Sequence, residues 1–203
     1  MIPKIIHHTA PTNKDKWHPL WQPCLDSWKI KFPEPEYTHI VWNDEDIDNL
    51  VKENFPNYES LYNSFFFHII KIDFARFCML YKYGGIYADM DVFCYKNFYN
   101  FLDEDIVLLE SREWDTNEVA QNAMMASSKH NSFIHHCMEE CKRNYYDYNP
   151  GLSIDFYVKD ICGPVFLTRT VLKFRQDIKL LSKELFNPEP KDFNENIFTK
   201  HID

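Results

Sequence analysis

The chain has 203 residues, 45% of them hydrophobic and 17% aromatic, and carries a formal net charge of −9. This aromatic content excludes a disordered chain. The acidic charge, without a lysine or arginine cluster, excludes a protein that follows the phosphates of nucleic acid. The length allows one sizeable core and is short for two, so residues 1–203 are predicted to form a single domain.

Short apolar strands and longer helical patterns alternate along the chain, which favours an α/β fold. In the first half we predict strands at 2–8, 37–42 and 86–88, and helices at 17–32, from a cap at 43–44 through 51, and at 68–83. The last of these helices is apolar on nearly all sides and stops at Gly84, so we expect it to be buried. In the second half we predict an extended segment at 92–95, strands at 106–109 and 119–126, helices at 131–144, 153–160 and 164–174, and one or two short strands after 180.

The six cysteines include no C-x-x-C pair, and several lie in apolar stretches. We interpret all six as buried free thiols, which suit a reducing compartment. Cys137 and Cys141 lie one helical turn apart, as in half of a zinc site, but no second ligand pair at zinc spacing accompanies them. The N-terminus turns polar by His7, and no stretch nears the ~18 apolar residues of a membrane span. We expect a soluble, cytoplasmic protein without a transmembrane segment.

Asp89 and Asp91 follow a short apolar strand and are separated by one residue. In extended geometry, positions i and i+2 point to the same side, so both carboxylates would face one small volume. Hard divalent cations such as Mn²⁺ or Mg²⁺ prefer such ligands and keep positions open for phosphate oxygens. The carboxyl ends of strands are also where open α/β sheets bind ligands. The pair therefore indicates a metal-bridged nucleotide site, and two solvated loop aspartates are the alternative.

Asp73 and Arg76 lie three residues apart on the apolar helix, and therefore on one face of it. An intrahelical salt bridge is the simplest interpretation. A buried ion pair is costly to desolvate, however, and is weak evidence for stability. A polar ligand rich in hydroxyls is a better reason for two charges in such apolar surroundings.

The segment from Lys71 to Val92 contains both pairs and closely resembles the signature of the DXD-containing sugar transferases, glycosyltransferase family 32. This family includes yeast mannosyltransferases and capsular polysaccharide sugar transferases, and it is distantly similar to clostridial glucosylating toxins. The resemblance covers most of the chain, with further similarity at residues 2–7, 27–28, 41–44, 122–127 and 163–164.

The resemblance implies a GT-A fold, that is, a Rossmann-like nucleotide-binding α/β domain with a central mixed sheet flanked by helices. It also implies a UDP- or GDP-sugar donor, a Mn²⁺ or Mg²⁺ ion, and a hydroxyl of a glycan or glycoconjugate as acceptor. Family members generally retain the anomeric configuration, and the leaving phosphate can deprotonate the attacking hydroxyl. We therefore name no catalytic base, and we interpret His7 and His8 as structural or pocket-lining side chains.

By the same resemblance, Asp91 would coordinate the metal directly, and Asp89 would contact both the metal and the donor ribose. Asp73 and Arg76 would hold hydroxyls of the donor sugar. The remaining implied residues are His7 and Thr9 at the nucleobase pocket, Asn122 and Gly163 on the sugar and acceptor side, and His201 as a further metal or phosphate ligand.

Two alternatives remain open at this point. A degenerate homologue could bind a nucleotide-sugar without transferring it. A phosphohydrolase of the haloacid dehalogenase type also uses D-x-D after a strand, but it usually has Thr or Val where this chain has Phe93. The family pattern commonly continues after its histidine with a Ser-Trp element that closes over the diphosphate, and residues 200–203 do not contain it.

Overall fold

The structure of the protein is a computed structural model that describes residues 1–111, 119–146, 154–174 and 177–202. Its helices are α1 (Trp21–Lys31), α2 (Asp44–Asn54), α3 (Pro56–Ser64), α4 (His68–Tyr83), α5 (Ser132–Tyr146), α6 (Ile154–Ile161), α7 (Pro164–Lys173) and α8 (Lys183–Phe186). Its strands are β1 (Ile5–Thr9), β2 (Thr38–Trp42), β3 (Gly85–Ala88), β4 (Val92–Cys94), β5 (Ile106–Glu110), β6 (Ala120–Ser127), β7 (Lys179–Leu181) and β8 (Thr199–His201).

Within these described ranges, six strands form one mixed sheet in the order β2-β1-β3-β6-β5-β7, and β4 pairs with β8 in a separate antiparallel ribbon. Strands β2, β1 and β3 are parallel, whereas β6 runs antiparallel to β3 and β5. Helices pack on the sheet, so the predicted mixed sheet flanked by helices is confirmed. The carboxyl ends of the three parallel strands share one edge, where ligands bind in folds of this kind.

Helix α4 has the predicted bounds and the predicted burial. Nine of its residues, from Ile70 to Leu80, are buried, because apolar side chains occur on nearly every side of it. It ends where Gly84 adopts a φ of 65°, a conformation that favours glycine. The next residue, Gly85, has a φ of 102°, and a Cβ atom there would lie 2.4 Å from the carbonyl oxygen of Ile5. The two glycines therefore let β3 start directly against β1.

Side chains of β3 alternate between the two faces of the sheet, as the period of a strand requires. Tyr87 packs in the core beneath α4, whereas Ile86 and Ala88 pack in a second core with Trp28 of α1. This alternation puts the Tyr87 ring on the same side of the sheet as Arg76 of α4, with the guanidinium carbon 4.9 Å from the ring centre.

The first helix begins at Trp21 rather than at residue 17. A turn capped by the side chain of Asn13 precedes it, and Trp17 Nε1 donates to the carbonyl of Pro11, 2.8 Å away. Because these hydrogen bonds are made within residues 11–17, this segment remains outside the helix despite the helical spacing of its apolar residues.

The prediction of six free thiols is wrong for two cysteines. Cys141 of α5 and Cys162, one residue beyond α6, form a disulfide with Cα atoms 5.7 Å apart. Cys24, Cys78, Cys94 and Cys137 are free and buried. Because Cys141 is bonded, it does not join Cys137 in a zinc half-site, and the thiols no longer support the expected reducing compartment. In the part of the chain that the structure describes, no helix combines the length and apolarity needed to cross a membrane.

Candidate active site

A cavity of about 320 Å³ opens at the shared carboxyl edge of β1, β2 and β3. We call the part of the cavity lined by the largely buried side chains of Arg76 and Asp89 the cavity floor. Aliphatic and aromatic side chains line other parts of it. The lining residues are Thr9, Ala10, Pro11, Trp21, Asp44, His68, Ile69, Ile72, Arg76, Asp89, Met90 and Asp91. The cavity thus combines both aspartates of the D-x-D pair with the arginine of α4.

Asp89 and Asp91 lie in the turn between β3 and β4, not in extended geometry as the sequence argument assumed. The backbone N–H of Val92 donates to the carbonyl of Asp89 at 3.1 Å, which closes the turn. The backbone N–H of Ile202, beyond β8, donates to the carbonyl of Asp91 at 2.7 Å. Both carboxylates reach the cavity because the chain turns there, rather than because a strand alternates.

One oxygen of Asp89 accepts a hydrogen bond from Tyr87 and forms an ion pair with Arg76. Tyr87 donates its hydroxyl proton to Oδ1 at 2.7 Å, and Arg76 Nη2 lies 3.0 Å from the same oxygen. Since the Tyr87 proton is used there, the hydroxyl of Thr9, 3.0 Å from the Tyr87 oxygen, must be the donor in their bond. These contacts fix the orientation of the Asp89 carboxylate at the cavity floor.

Arg76 is shared between two carboxylates, so the predicted pair within α4 is only part of its environment. Its Nη2 lies 3.3 Å from Asp73 Oδ1, and its Nη1 donates to the backbone carbonyl of Asn122 at 3.0 Å. The Asn122 side chain in turn donates to Asp73 Oδ1 at 3.0 Å. Burial raises the pKa of Asp73 to about 7, although Arg76 opposes that shift. Burial alone would lower the pKa of Arg76, but Asp89 and other nearby groups raise it.

The side chain of Asp91 offers a carboxylate oxygen that could bind a divalent cation. Its side chain is 34% exposed, but its Oδ1 atom is buried without a hydrogen-bonding donor in proper geometry. His201 Nε2 lies 3.3 Å from that oxygen. The described residues contain no group of three histidine, cysteine or acidic side chains that could hold a metal by themselves. A cation here would therefore need oxygens from water or phosphate, as Mg²⁺ commonly does.

Five residues that the resemblance implied do not line this cavity, namely His7, Asp73, Asn122, Gly163 and His201. Asp73 and His201 contact the lining residues Arg76 and Asp91, respectively. His7 is fully buried on β1, and both of its ring nitrogens meet protein groups, Gly84 and Trp42. Asn122 faces Asp73 rather than the cavity. Gly163 precedes α7, where a Cβ atom would lie 2.8 Å from the Cα atom of Lys159, so close packing of helices accounts for it.

The structure adds residues that the sequence argument missed. Trp21 of α1 lines the cavity, as do Ile69 and Ile72 of α4. Asp44 and His68, whose side chains are more than half exposed, approach to 3.2 Å at the cavity. The Asn43 cap of α2, which places Asp44 at the carboxyl end of β2, and the family similarity at residues 41–44 were the sequence signals for this region.

A wider hollow of about 590 Å³ runs along α5, away from the carboxyl edge of the sheet. Glu139, its one acidic side chain, already accepts a hydrogen bond from Tyr58. The hollow lacks the paired carboxylates that a metal-bridged nucleotide needs, so we place the site at the smaller cavity. The hollow along α5 is lined by Ser132, His135, His136, Glu139, Lys142, Arg143 and Phe174.

Because His7 and His8 of β1 are buried, we predict that the free energy of unfolding falls in acid. Burial lowers the pKa of His7 to about 4 and that of His8 to about 3. The unfolded chain takes up these protons near pH 6.5, so it binds more protons than the folded chain, and stability falls as the pH drops below that value. For His8 the loss between pH 7 and pH 5 is about 2 kcal/mol.

The comparison of wild type with His8→Asn isolates this effect, because the raised pKa of Asp73 acts in the opposite sense and is present in both proteins. Urea unfolding at pH 7 and pH 5 should show the variant losing about 2 kcal/mol less than the wild type. Equal losses in the two proteins would contradict a neutral, buried His8.

Comparison with known proteins connects this geometry to a family. Residues 19–112 match the family described as a glycosyltransferase sugar-binding region containing a DXD motif. The chain is 31% identical over 173 residues to inositol phosphoceramide mannosyltransferase 3 of Schizosaccharomyces pombe, covering 82% of this chain and 44% of that protein. It is also 31% identical over 172 residues to mannosyl phosphorylinositol ceramide synthase CSH1 of Saccharomyces cerevisiae, covering 83% and 42%. The chain therefore spans less than half the length of these relatives.

Solved structures agree with the fold. The galactosyltransferase LgtC, in complex with donor and acceptor sugar analogues, superposes with a TM-score of 0.58 at 13% identity, covering 98% of this chain and 86% of LgtC. The PaToxG glycosyltransferase gives a TM-score of 0.55 at 18% identity, covering 85% and 68%. Residues 19–112 thus form a sugar-binding region of the DXD-containing glycosyltransferase family, and the chain has the GT-A fold.

Proposed function

We propose that this chain is a metal-dependent glycosyltransferase. In this proposal, residues 1–203 act as one catalytic domain that moves a sugar from a UDP- or GDP-sugar to an acceptor hydroxyl with retention of configuration. The observation that carries the proposal is the convergence of Asp89, Asp91 and Arg76 in one cavity at the carboxyl edge of the sheet. The family match at residues 19–112 supports the same reaction class over a phosphohydrolase.

In the proposed reaction, negative charge grows on the departing nucleoside diphosphate and positive character grows on the anomeric carbon. Asp91 and Asp89 would hold Mn²⁺ or Mg²⁺, with His201 beside Asp91. When bound, the cation supplies Lewis-acid stabilisation of the leaving diphosphate. The protein's own contribution is to fix the two carboxylates before the donor arrives, which Tyr87 and Arg76 do for Asp89.

Arg76 and Asp73 have different parts in this proposal. Arg76 lines the cavity, so it can touch the donor sugar. Asp73 is only 3% exposed and acts through Arg76 and Asn122, so we assign it a positioning role. Thr9 lies at the carboxyl end of β1 beside Ala10 and would contact the nucleoside part of the donor.

The rim of the cavity suits an acceptor that has both hydroxyls and an apolar body. Phe66 is 82% exposed and Ile69 is 45% exposed, and we call these two residues the rim patch. Ile69 lines the cavity, and Phe66 precedes it by three residues. Exposed apolar groups beside a polar site commonly mark an interaction surface. Because two relatives are named for inositol phosphoceramide or its mannosylated form, we propose a glycolipid or a similar lipid-linked hydroxyl as acceptor.

Phe66→Ser tests this acceptor class. Burial of a phenylalanine side chain contributes about 1.5–3 kcal/mol, so transfer to inositol phosphoceramide in phosphatidylcholine vesicles should fall roughly 10- to 100-fold. Hydrolysis of the donor without acceptor should not change. Leu172→Ser is the matched control, because Leu172 is 70% exposed and does not line the cavity. An equal loss in both variants, or none in Phe66→Ser, would contradict the assignment.

The reaction class itself is tested by incubating the protein with a panel of UDP- and GDP-sugars without acceptor. We expect slow release of UDP or GDP that requires Mn²⁺ or Mg²⁺. Nucleotide-sugar binding without release, in the presence or absence of acceptor, would indicate the non-catalytic homologue. Release of inorganic phosphate from simple phosphomonoesters would indicate the phosphohydrolase.

A further inference from the structure

Two adjacent histidines of β1 each hold one carbonyl at an end of β3. His7 Nε2 lies 2.8 Å from the carbonyl oxygen of Gly84, the residue before β3. His8 Nδ1 lies 2.8 Å from the carbonyl oxygen of Ala88, the last residue of β3. The rings lie on opposite faces of the sheet, as successive residues of a strand must, and both are buried.

The partners determine which ring nitrogen carries the proton. Trp42 Nε1 can only donate, and it donates to His7 Nδ1 at 3.1 Å, so His7 carries its proton on Nε2 and donates it to Gly84. The carbonyl of Ala88 can only accept, so His8 carries its proton on Nδ1. Each histidine is therefore a neutral donor with a defined tautomer.

The backbone ladder between β3 and β6 covers residues 85–88, but the ladder between β3 and β1 does not reach these two ends. Strands β1 and β3 share two register pairs, Ile6 with Ile86 and His7 with Tyr87. Before the ladder the chain turns through two glycines with positive φ, and after Ala88 it leaves the strand into Asp89. The histidine side chains thus supply donors at both points where backbone pairing to β1 stops.

Packing alone does not account for an imidazole at position 8. Its Nε2 atom is buried and has no hydrogen-bond partner among the described residues. A hydrocarbon side chain of similar size would avoid the desolvation of that nitrogen. The bond from Nδ1 to the Ala88 carbonyl is the feature that an imidazole adds, and it lies one residue before Asp89.

We propose that His7 and His8 are positioning residues that fix both ends of β3 and thereby hold Asp89 at the cavity floor. The backbone of Asp89 is held on its other side by β6, where its N–H donates to the carbonyl of Ala123 at 2.9 Å. Its carboxylate bonds to Tyr87, which is itself a β3 residue. Movement of β3 would displace both Asp89 and the Tyr87 hydroxyl. This inference rests on the proposed donor site.

To test this proposal, each histidine is replaced in separate variants by asparagine and by glutamine, which place the amide N–H group at different distances along the side chain. The Nδ2 group of asparagine lies at the same distance along the side chain as histidine Nδ1, and the Nε2 group of glutamine lies near histidine Nε2. The matched variants are His7→Gln and His8→Asn, and the mismatched variants are His7→Asn and His8→Gln.

Two measurements are made on all four variants. Calorimetry with Mn²⁺ and UDP or GDP should show affinity within about threefold of wild type for the matched variants and more than tenfold weaker for the mismatched ones, since small displacements of positioned groups have large effects. Hydrogen exchange of the ligand-free protein should be faster at Asp89 in the mismatched variants. Urea unfolding should show all four variants folded.

Several results would overturn the proposal. Asparagine and glutamine could be equally harmful at each position, or the mismatched variants could exchange and bind as the wild type does. If His8→Gln fails to fold while His8→Asn folds, the hydrogen bond from His8 to the Ala88 carbonyl stabilises the whole fold and does not specifically position Asp89. If the wild type binds no metal–nucleotide, the proposed function fails, but the exchange at Asp89 still decides the positioning role.

Discussion

Replacement of Asp91 by asparagine is expected to abolish metal-dependent nucleotide binding while leaving the fold intact. Asp91 Oδ1 is a buried carboxylate oxygen without a hydrogen-bonding donor, and the amide removes its negative charge. Burial already raises the pKa of Asp91, so the folded protein gains little from that charge alone. Loss of a metal ligand should weaken binding of Mn²⁺ with UDP or GDP by at least about 100-fold.

The control for this prediction is Asp103→Asn, which removes the same charge from an exposed carboxylate that contacts Lys179. Calorimetry should show unchanged nucleotide affinity in the control, and both variants should keep the wild-type unfolding transition. Wild-type affinity in Asp91→Asn would place the metal elsewhere.

Replacement of Arg76 by methionine is expected to destabilise the protein by about 3–5 kcal/mol, the usual cost of removing one partner from a buried ion pair. Arg76 is 6% exposed, and its Nη2 lies 3.3 Å from Asp73 Oδ1 and 3.0 Å from Asp89 Oδ1. Without the guanidinium, Asp89 would lose its cationic partner, and the pKa of the buried Asp73, already raised to about 7, would rise further. Urea unfolding at pH 7 measures the effect.

Arg169→Met is the matched control. Arg169 Nη1 lies 2.6 Å from Asp160 Oδ1, but the arginine side chain is 35% exposed, so its loss should cost less than about 1 kcal/mol. Adding Asp73→Asn to Arg76→Met should restore part of the stability, because it removes a buried carboxyl group that has to take up a proton once its cation is gone. Equal losses in Arg76→Met and Arg169→Met would show that Arg76 is not a buried bridge between carboxylates.

The expected loss of stability also determines how the proposed role of Arg76 in binding the donor sugar can be measured. Since Arg76 supports the site structurally, its removal should lower donor binding and stability together. Arg76→Lys keeps the charge but loses the planar fork that reaches both carboxylates. Donor hydrolysis by the folded lysine variant is therefore the more informative measurement.

The fold could be predicted largely from local signals. Helix α4 was predicted with the observed bounds, because its apolar pattern and Gly84 both act within a few residues. Strand β3 and the helix that begins at Asp44 followed from equally short patterns. Helix α3 carried no prediction, since its Pro56 start signal lies directly after another helix and its pattern is mainly aromatic and polar.

Only those residues of the site that lie in one short segment of the sequence could be predicted together. Both aspartates and Arg76 occur within sixteen residues, so their spacing and the family resemblance could indicate them together. The bond between Arg76 and Asp89 depends on how α4 packs over β3, and no spacing rule gives that contact. Trp21 and His68 come from segments 47 residues apart in sequence, and only the folded chain brings them to one cavity. The Cys141–Cys162 disulfide was missed for the same reason, since 21 residues separate its cysteines.

The most direct test of the DXD cavity is a crystal of the protein grown with Mn²⁺ and UDP or GDP, measured at a wavelength where manganese scatters anomalously. We predict one strong anomalous peak at the cavity floor, within bonding distance of Asp91 and of the nucleotide diphosphate. No peak at the floor, or a peak in the hollow along α5 with the nucleotide beside it, would contradict the account.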